Sequence, residues 1–297
     1  MPGMPCVLQT LLACPRCAGP LTVGPAACHC AGCGVDFPVR DGIPRLADGA
    51  IDRDPRLKAE WHAQHHAHDL YLDSRSVMNH WEEQILPRLV DRLGPIRGPV
   101  LDLGCGVGHL GRVTAGKGIE LWGLDLQGEL LAEAKTGYAA LVEGDIHRLP
   151  FRSGAFLAVV AANALHHVSD PSRALAEITR VLAPGGSVLL YDPRQVPLLE
   201  SAKKFLRRGD AAFTAEHKAF RPADYDRLLT GAGLVVEELA CVDPVAPLVS
   251  TALDLMHAGR LGLAGPAARA AAALDGLIGR LDRTRRIGLM VVAVGRK

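Results

Sequence analysis

The chain has 297 residues, a formal net charge of +1 and a hydrophobic share of 48%. This length leaves room for a small module and one full α/β domain, and the apolar share supports a sizeable core. The neutral charge balance argues against a large nucleic-acid footprint, which normally shows as a basic face. We find no targeting segment and no apolar run as long as a membrane-spanning helix, so we expect a cytoplasmic protein.

The first element in chain order is a group of four cysteines with C-x2-C-x12-C-x2-C spacing, namely Cys14, Cys17, Cys30 and Cys33. Two such turns can place four thiolates tetrahedrally around one zinc ion, in a closed structural site. The zinc would supply folding energy that a module of this size cannot take from its small core. Cys28 or His29 could replace Cys30 as a ligand. Disulfides and a rubredoxin-like iron site are the alternatives, and Cys6 has no partner that we can name.

The same segment, LLACPRCAGPL through CAGCGVDFPVRDGIPRL, resembles the small zinc-ribbon activator subunit of tRNA and release-factor methyltransferases. Phe37-Pro38-Val39 and Asp41-Gly42-Ile43-Pro44 carry this likeness. The resemblance implies a zinc-ribbon domain over residues 1–48.

Residues 49–98 are predicted to form a linker followed by N-terminal lid helices. Within residues 57–75, which look helical, four histidines share i, i+3 and i+4 relations: His62, His65, His66 and His68. A His-rich surface or lid helix and a second metal site are the two interpretations. Trp61, Tyr71 and Trp81 could contact a substrate or pack. Residues 76–93 are predicted to form an amphipathic helix that Gly94-Pro95 stops.

Four motifs then follow in fixed order: VLDLGCGVGHLG (100–111), LWGLDLQ (121–127), LVEGDIHRLPF (141–151) and AANALHHVSDPSRALAEITRVLAPGGSVLLYD (161–192). Each is typical of a buried parallel strand followed by a functional turn. Strands are expected near residues 99–103, 120–125, 138–142, 156–162, 187–191, 234–240 and 288–297. Alternating strands and helices predict an α/β fold over residues 99–297.

The first two motifs indicate a site for a nucleoside-bearing cofactor. Gly104, Gly106 and Gly108 let a strand turn sharply into a helix and let backbone amides approach a ligand. Asp125 ends the second strand, where a carboxylate can accept both hydroxyl groups of a ribose. These two motifs alone also fit a nicotinamide enzyme, because G-x-G-x-x-G recurs in that class.

The ordered set of four motifs resembles the class I, Rossmann-like S-adenosylmethionine-dependent methyltransferases over residues 76–240. It is most similar to the ubiquinone- and menaquinone-biosynthesis branch. The resemblance implies a seven-stranded, doubly wound sheet whose last strand pairs antiparallel at the edge. Leu157 departs from the family pattern, in which an Asp often stands two residues before the apolar core of the fourth strand.

The resemblance also assigns roles. Asp145 would contact the adenine amino group, Ile146 would lie against the adenine ring, and Asn163 to His167 would line the methionine end and the acceptor pocket. The implied cofactor-binding set is Asp102, Gly104, Gly106, Gly108, Asp125, Leu126, Asp145, Ile146 and Asn163. His166 or His167 could be the general base, since imidazole titrates near neutral pH, or could only shape the corner.

We expect a small-molecule acceptor that is methylated on oxygen or carbon. Enzymes that act on exocyclic base nitrogens usually carry Asn/Asp-Pro-Pro-aromatic after the fourth strand, whereas this chain has Asn163-Ala164-Leu165-His166. The first rival is an RNA methyltransferase whose ribbon grips nucleic acid. The second rival is a non-catalytic, cofactor-binding scaffold.

Two insertions complete the chain. Residues 193–222 carry Glu216 and His217 and four basic residues that could meet an acidic acceptor or form a solvated face: Lys203, Lys204, Arg207 and Arg208. Residues 244–286 are an Ala/Leu-rich helical insertion with a basic end, predicted to be a lid or dimer face. Peripheral contact with a membrane surface is the alternative. The sequence leaves the oligomeric state open.

Overall fold

The computed structural model describes residues 9–49, 81–196, 219–249, 264–281 and 286–297. Several sequence predictions lie outside these ranges: those on Cys6, on residues 57–75, on the basic residues 203–208 and on Glu216 and His217. For the segment 76–93, the described part begins at Trp81.

The N-terminal module is a four-stranded antiparallel sheet in the order β1-β2-β3-β4. Its strands are β1 (Leu21–Val23), β2 (Ala27–Cys30), β3 (Asp36–Arg40) and β4 (Ile43–Pro44). Alternate residues of β1 and β2 are buried, as expected for short strands with one face on a core.

The rest of the strands form a seven-stranded sheet in the order β10-β11-β9-β8-β5-β6-β7. They are β5 (Pro99–Leu103), β6 (Glu120–Asp125), β7 (Ala140–Glu143), β8 (Phe156–Ala162), β9 (Leu182–Pro193), β10 (Val235–Val242) and β11 (Met290–Arg296). Strands β5 to β9 pair in parallel, and β11 pairs antiparallel with both β9 and β10. The predicted seven-stranded α/β sheet is therefore confirmed.

Two expectations about the strands are wrong. The last strand, β11, is antiparallel as expected, but it lies inside the sheet, and β10 takes the edge. The fifth strand was expected at residues 187–191, but β9 begins at Leu182. Leu182 pairs with Phe156, and the register then shifts so that Ser187 pairs with Ala158. The sequence Pro184-Gly185-Gly186 predicts a turn before the strand, but these residues form an irregularity within the strand pairing.

The longer helices of the described residues are α1 (Leu86–Arg92), α2 (His109–Thr114), α3 (Pro171–Val181), α4 (Pro222–Gly231) and α5 (Ala264–Leu281). A π-helical turn, Trp81–Ile85, precedes α1. The sequence of α3 shows why it forms: Asp170 caps it by accepting from the backbone N–H of Arg173 at 3.0 Å, and Pro171 occupies the first turn. Its buried residues recur at helical spacing, so one face packs on the sheet.

Side chains of the central strands alternate between two core layers. In β9, Val188 and Leu190 belong to the layer that also holds Phe151, whereas Leu189 and Tyr191 belong to the opposite layer. Period-two alternation with both faces buried is the signature of a sheet covered on both sides.

The N-terminal module packs against β7, the other edge strand of the large sheet. The backbone N–H of Leu46 donates to the carbonyl of Glu143 at 2.8 Å, and Arg45 forms a parallel bridge with Glu143. The Arg45 guanidinium also donates to the Glu143 carboxylate at 2.7 Å. Leu12 bridges to Phe151, and both belong to one core cluster. The module therefore covers the end of a sheet edge that would otherwise be open.

Among the helices in the described part of the chain, none is long and apolar enough to cross a membrane.

Candidate functional site

The candidate site lies where the chain order of the parallel strands reverses. From β5 the chain adds β6 and β7 on one side, and it then returns to place β8 and β9 on the other side. The carboxyl ends of β5 and β8 therefore flank a crevice, the place where open α/β sheets bind ligands. The turns that follow β5, β6, β7 and β8 all open onto this edge.

The glycine turn after β5 approaches the turn after β8 closely. Gly104 has φ +73°, and a Cβ added there would lie 2.8 Å from the Cβ of Ala164. Gly106 also has a positive φ, +50°, but a Cβ there would meet nothing within 4 Å. A side chain at Gly104 would push the two turns apart, whereas one at Gly106 would fill open space beside the turn. The turn is thus shaped for close approach of a ligand to its backbone.

Asp125, at the end of β6, connects the glycine turn to its own strand. Its carboxylate accepts from the backbone N–H of Gly106 and from that of Gln127, both at 2.8 Å. Burial raises the pKa of Asp125 above its usual value, and the hydrogen bonds from Gln127 and Gly106 oppose this rise. Each carboxylate oxygen has two lone pairs, so both can accept further hydrogen bonds from a diol. Leu126 follows at the same edge and is half-buried.

Asp102 lies within β5 and is only 5% exposed. Its carboxylate accepts a hydrogen bond from the Tyr138 hydroxyl at 2.5 Å, and the backbone N–H of Gly111 donates to that hydroxyl at 3.3 Å. Burial raises the pKa of Asp102 to about 7. Asp102 and Tyr138 therefore link β5 to α2, the helix that the glycine turn opens. Tyr138 stands outside the four motifs, so no sequence motif identifies it as a site residue.

Asp145 caps a short helical turn, Ile146–Arg148, after β7. Its Oδ1 accepts from the backbone N–H of His147 and lies 2.8 Å from the ring Nδ1 of His147. Burial acts to raise the pKa of Asp145, but the hydrogen bonds from His147 outweigh it and hold this pKa below its usual value. The backbone N–H of Asp170 reaches Nε2 of His147 at 3.3 Å. His147, another residue that the sequence analysis missed, thus fixes the turn that carries Asp145 and the half-buried Ile146.

The turn after β8 begins with Asn163, whose φ of +56° is a left-handed conformation that Asn tolerates better than most residues. Its backbone N–H donates to the carbonyl of Tyr191 at 2.7 Å. His166 and His167 follow in a short helical turn, with ring centroids 3.9 Å apart. His166 is buried and His167 is half-buried.

His166 has a buried carboxylate partner that sequence reasoning did not identify. Its Nδ1 lies 2.6 Å from Oδ1 of Asp192, and its backbone N–H donates to the same oxygen at 3.2 Å. The hydroxyl of Tyr225, on α4, donates to the other carboxylate oxygen at 2.5 Å. Asp192 is 0% exposed. Burial raises the pKa of Asp192 to about 7, while hydrogen bonds from Tyr225 and from the His166 backbone oppose the rise.

Another carboxylate, that of Glu82, joins the turn before α1 to the helix that follows the glycine turn. Glu82 lies 2.5 Å from Nδ1 of His109 and accepts from the Arg112 side chain at 2.7 Å. His109 and Arg112 both lie on α2, directly after the glycines. Burial acts to raise the pKa of Glu82, but the hydrogen bonds from His109 and Arg112 outweigh it and lower this pKa. The π-helical turn around Glu82 therefore borders the candidate site.

The four predicted metal ligands of the N-terminal module come together. Their sulfur atoms all lie within 4.8 Å of one another, and two of the pairs are close: Cys14–Cys33 at 3.6 Å and Cys17–Cys30 at 3.5 Å. A tetrahedron with Zn–S bonds of about 2.3 Å has S···S edges of roughly 3.8 Å, so the group fits zinc. His29 instead lies 2.7 Å from Asp36. The structure therefore brings Cys30, and neither Cys28 nor His29, into the cluster.

Comparisons with known proteins match the part of the chain that carries this site. The family described as "Methyltransferase domain" matches residues 101–190. Ubiquinone biosynthesis O-methyltransferase of Thiobacillus denitrificans is 32% identical, over 51% of this chain and 71% of its own length. Mouse "Probable tRNA methyltransferase 9B" (Mus musculus) is 30% identical, over 42% of this chain and 29% of its own length. An uncharacterized 37.1 kDa protein of Streptomyces fradiae transposon TN4556 is 32% identical over 58% of this chain. This chain spans only 52% of that protein's length.

Among solved structures, an S-adenosylmethionine-dependent methyltransferase from Thermotoga maritima aligns with a TM-score of 0.55 at 18% identity. The alignment covers 80% of this chain and 99% of the other. At this identity the likeness shows the fold alone.

Proposed function

The chain belongs to the class I S-adenosylmethionine-dependent methyltransferases, and from that premise we propose that it methylates an oxygen or an acidic carbon of a small-molecule acceptor. The observation that carries this proposal is the meeting of the glycine turn, Asp125 and His166 at one edge of the sheet. Ubiquinone biosynthesis O-methyltransferase, whose length the chain covers to 71%, supports an oxygen acceptor.

The residues at the edge fit the cofactor. The open space at Gly106 leaves room for a ligand against the backbone, and Asp125 has lone pairs for a ribose diol. Asp145, held by His147, offers a carboxylate for the adenine amino group, and Ile146 beside it offers an apolar surface. When bound, S-adenosylmethionine supplies a sulfonium-activated methyl group for direct in-line displacement.

The protein's own contribution is then positioning and proton transfer. Because the methyl group is already activated, holding the two reactants in line is the main task of the site. We choose His166 over His167 as the base, because the Asp192 carboxylate lies 2.6 Å from Nδ1 of His166 and orients that ring. A base at this turn would take the proton that an acceptor hydroxyl or carbon loses.

The N-terminal module is proposed to hold one zinc ion through Cys14, Cys17, Cys30 and Cys33. All four positions are protein thiolates, so the site is closed and structural. The predicted boundaries at residues 48 and 98 remain proposals. The module's hydrogen bonds to β7 support a role in stabilising that edge of the large sheet.

An acceptor panel tests the proposed function. The purified protein is incubated with S-adenosylmethionine and one acceptor at a time: phenols and enols, carboxylates, amines and tRNA. We expect S-adenosylhomocysteine to form with hydroxyl or carbon-acid acceptors. Turnover with tRNA alone would favour the RNA methyltransferase that the tRNA methyltransferase relative suggests. Cofactor binding without turnover on any acceptor would favour the scaffold.

A further inference from the structure

A buried carboxylate, a phenol and an imidazole from three separate elements meet behind the turn that follows β8. Asp192 comes from the end of β9, Tyr225 from α4, and His166 from the turn itself. Both carboxylate oxygens of Asp192 have a donor, one from His166 and the other from Tyr225. The imidazole of His167, on the same turn, lies next to that of His166, with ring centroids 3.9 Å apart.

Burying the Asp192 carboxylate costs folding free energy, which suggests that the carboxylate has a function. A carboxylate without solvent exposure is destabilising unless hydrogen bonds and charge partners compensate for its desolvation. A histidine that only shaped the corner could bond to a neutral acceptor and avoid that cost. A carboxylate behind the ring instead stabilises the imidazolium that forms when the ring accepts a proton.

We propose that Asp192 and Tyr225 are positioning residues that set the tautomer and the proton affinity of His166, and that the acceptor is a hydroxyl or carbon acid that still carries its proton at neutral pH. This inference rests on the proposed function. Because Asp192 accepts the proton on Nδ1, a proton that His166 exchanges with the acceptor passes through Nε2.

The acceptor oxygen or carbon forms a bond to the methyl carbon as the carbon–sulfur bond of the sulfonium breaks, and the acceptor proton passes to Nε2. The imidazolium is then paired with the Asp192 carboxylate until it releases the proton to solvent. A carboxyl acceptor, with a pKa of about 4, is already ionised at neutral pH, whereas a phenol, near 10, is not and needs such a base.

Asp192 and Tyr225 act on His166 in opposite directions. In Asp192→Asn the negative charge beside the ring is lost, so the midpoint of the His166 titration should fall by about 1–3 pKa units. In Tyr225→Phe the carboxylate loses a donor that lowers its pKa, so it becomes more basic and the midpoint of the coupled pair should rise. A residue that only fills space would not produce shifts of opposite sign.

The test is an NMR titration of protein labelled with ¹⁵N-histidine, without cofactor or acceptor. His166→Gln identifies the His166 resonances, and wild type is expected to show the tautomer with the proton on Nδ1. Asp192→Asn and Tyr225→Phe both preserve side-chain shape. Asn matches Asp in size, and Phe keeps the ring that stacks on Phe220 with centroids 4.9 Å apart. Near-UV circular dichroism checks that each variant is folded. Each variant has its own predicted sign, so one folded variant is enough to decide.

Tyr191→Phe is the matched control. Its hydroxyl donates to buried Asp243 at 2.7 Å, and Tyr191 belongs to the opposite core layer. Removing the Tyr191 hydroxyl should leave the midpoint of the His166 titration unchanged. An unchanged midpoint, or a shift opposite to the predicted sign, in either variant that is folded would overturn the proposal.

The pH–rate profile gives the second readout. With a hydroxyl or carbon-acid acceptor, the acidic limb of kcat should move to lower pH in Asp192→Asn and to higher pH in Tyr225→Phe. Turnover confined to carboxylates would overturn the assignment of the acceptor class. The NMR shifts without any methyl transfer by wild type would contradict the proposed function and uphold the pairing, which separates the two failures.

Discussion

His166→Gln is expected to lower turnover about 10²–10⁴-fold, the usual effect of removing a general base. Gln preserves a polar side chain of similar reach but cannot accept a proton at neutral pH. The loss should fall on kcat, because every residue assigned to the cofactor except Asn163 lies on another turn. Cofactor affinity, measured by calorimetry on the same variant, should stay within a few fold of wild type.

His167→Gln is the matched control for this prediction. Its ring lies next to that of His166 but is only half-buried. The ring nitrogen that lies 2.6 Å from the Asp192 carboxylate belongs to His166. A small loss of rate with an unchanged acidic limb is expected. If His167→Gln loses more activity than His166→Gln, or if His166→Gln keeps near-normal turnover, then His166 is not the base.

Cys17→Ser is expected to abolish zinc binding and to unfold the N-terminal module. Structural zinc contributes an apparent 10–16 kcal/mol or so in small zinc-finger peptides, far more than a core of this size can replace. Elemental analysis should show about one zinc per wild-type chain and almost none in the variant. Because Leu46 donates to Glu143, hydrogen exchange at Leu46 should also become fast.

Cys28→Ala provides the comparison within the same module. Cys28 is 0% exposed but lies outside the four-sulfur cluster, so the variant should keep its zinc and lose only packing. Full zinc content in Cys17→Ser, or loss of zinc in Cys28→Ala, would contradict the ligand set. Removing zinc from wild type with a chelator should reproduce the hydrogen-exchange change of Cys17→Ser.

The strands and the cofactor turns were predictable because their signals are local. An apolar run followed directly by glycines or an acid defines the carboxyl end of a buried strand, as at Gly104, Asp125 and Asp145. The fold class and the cofactor class followed from the order of these motifs. Paired x2 spacing likewise favoured Cys30 as the fourth sulfur of the cluster.

The partners of these residues were not predictable in the same way, because they depend on contacts between distant elements. Asp192 ends an apolar strand, so the rule that identified Asp125 could have found it. Tyr225 gives no such signal: it reaches Asp192 only because α4 returns to the end of β9. Tyr138 likewise reaches Asp102 from 36 positions along the chain.

The wrong prediction of β11 as the edge strand also arises because strand position depends on contacts between distant elements. The apolar sequence of β11 fits either an inner or an edge strand, and only its pairing with both β9 and β10 decides between them. The early start of β9 reflects a bulge that accommodates the Pro-Gly-Gly turn within the sheet. Turn residues in a sequence indicate an irregularity, but they do not tell whether it ends the strand.

Calorimetric titration with S-adenosylmethionine and, separately, with a nicotinamide dinucleotide tests most directly that the glycine-turn crevice holds the methyl donor. We predict saturable binding of S-adenosylmethionine, no binding of the dinucleotide, and a loss of about 1–3 kcal/mol of binding free energy in Asp125→Ala, the range for leaving buried polar groups unpaired. Binding of the dinucleotide alone, or wild-type affinity for S-adenosylmethionine in Asp125→Ala, would contradict the assignment of this crevice.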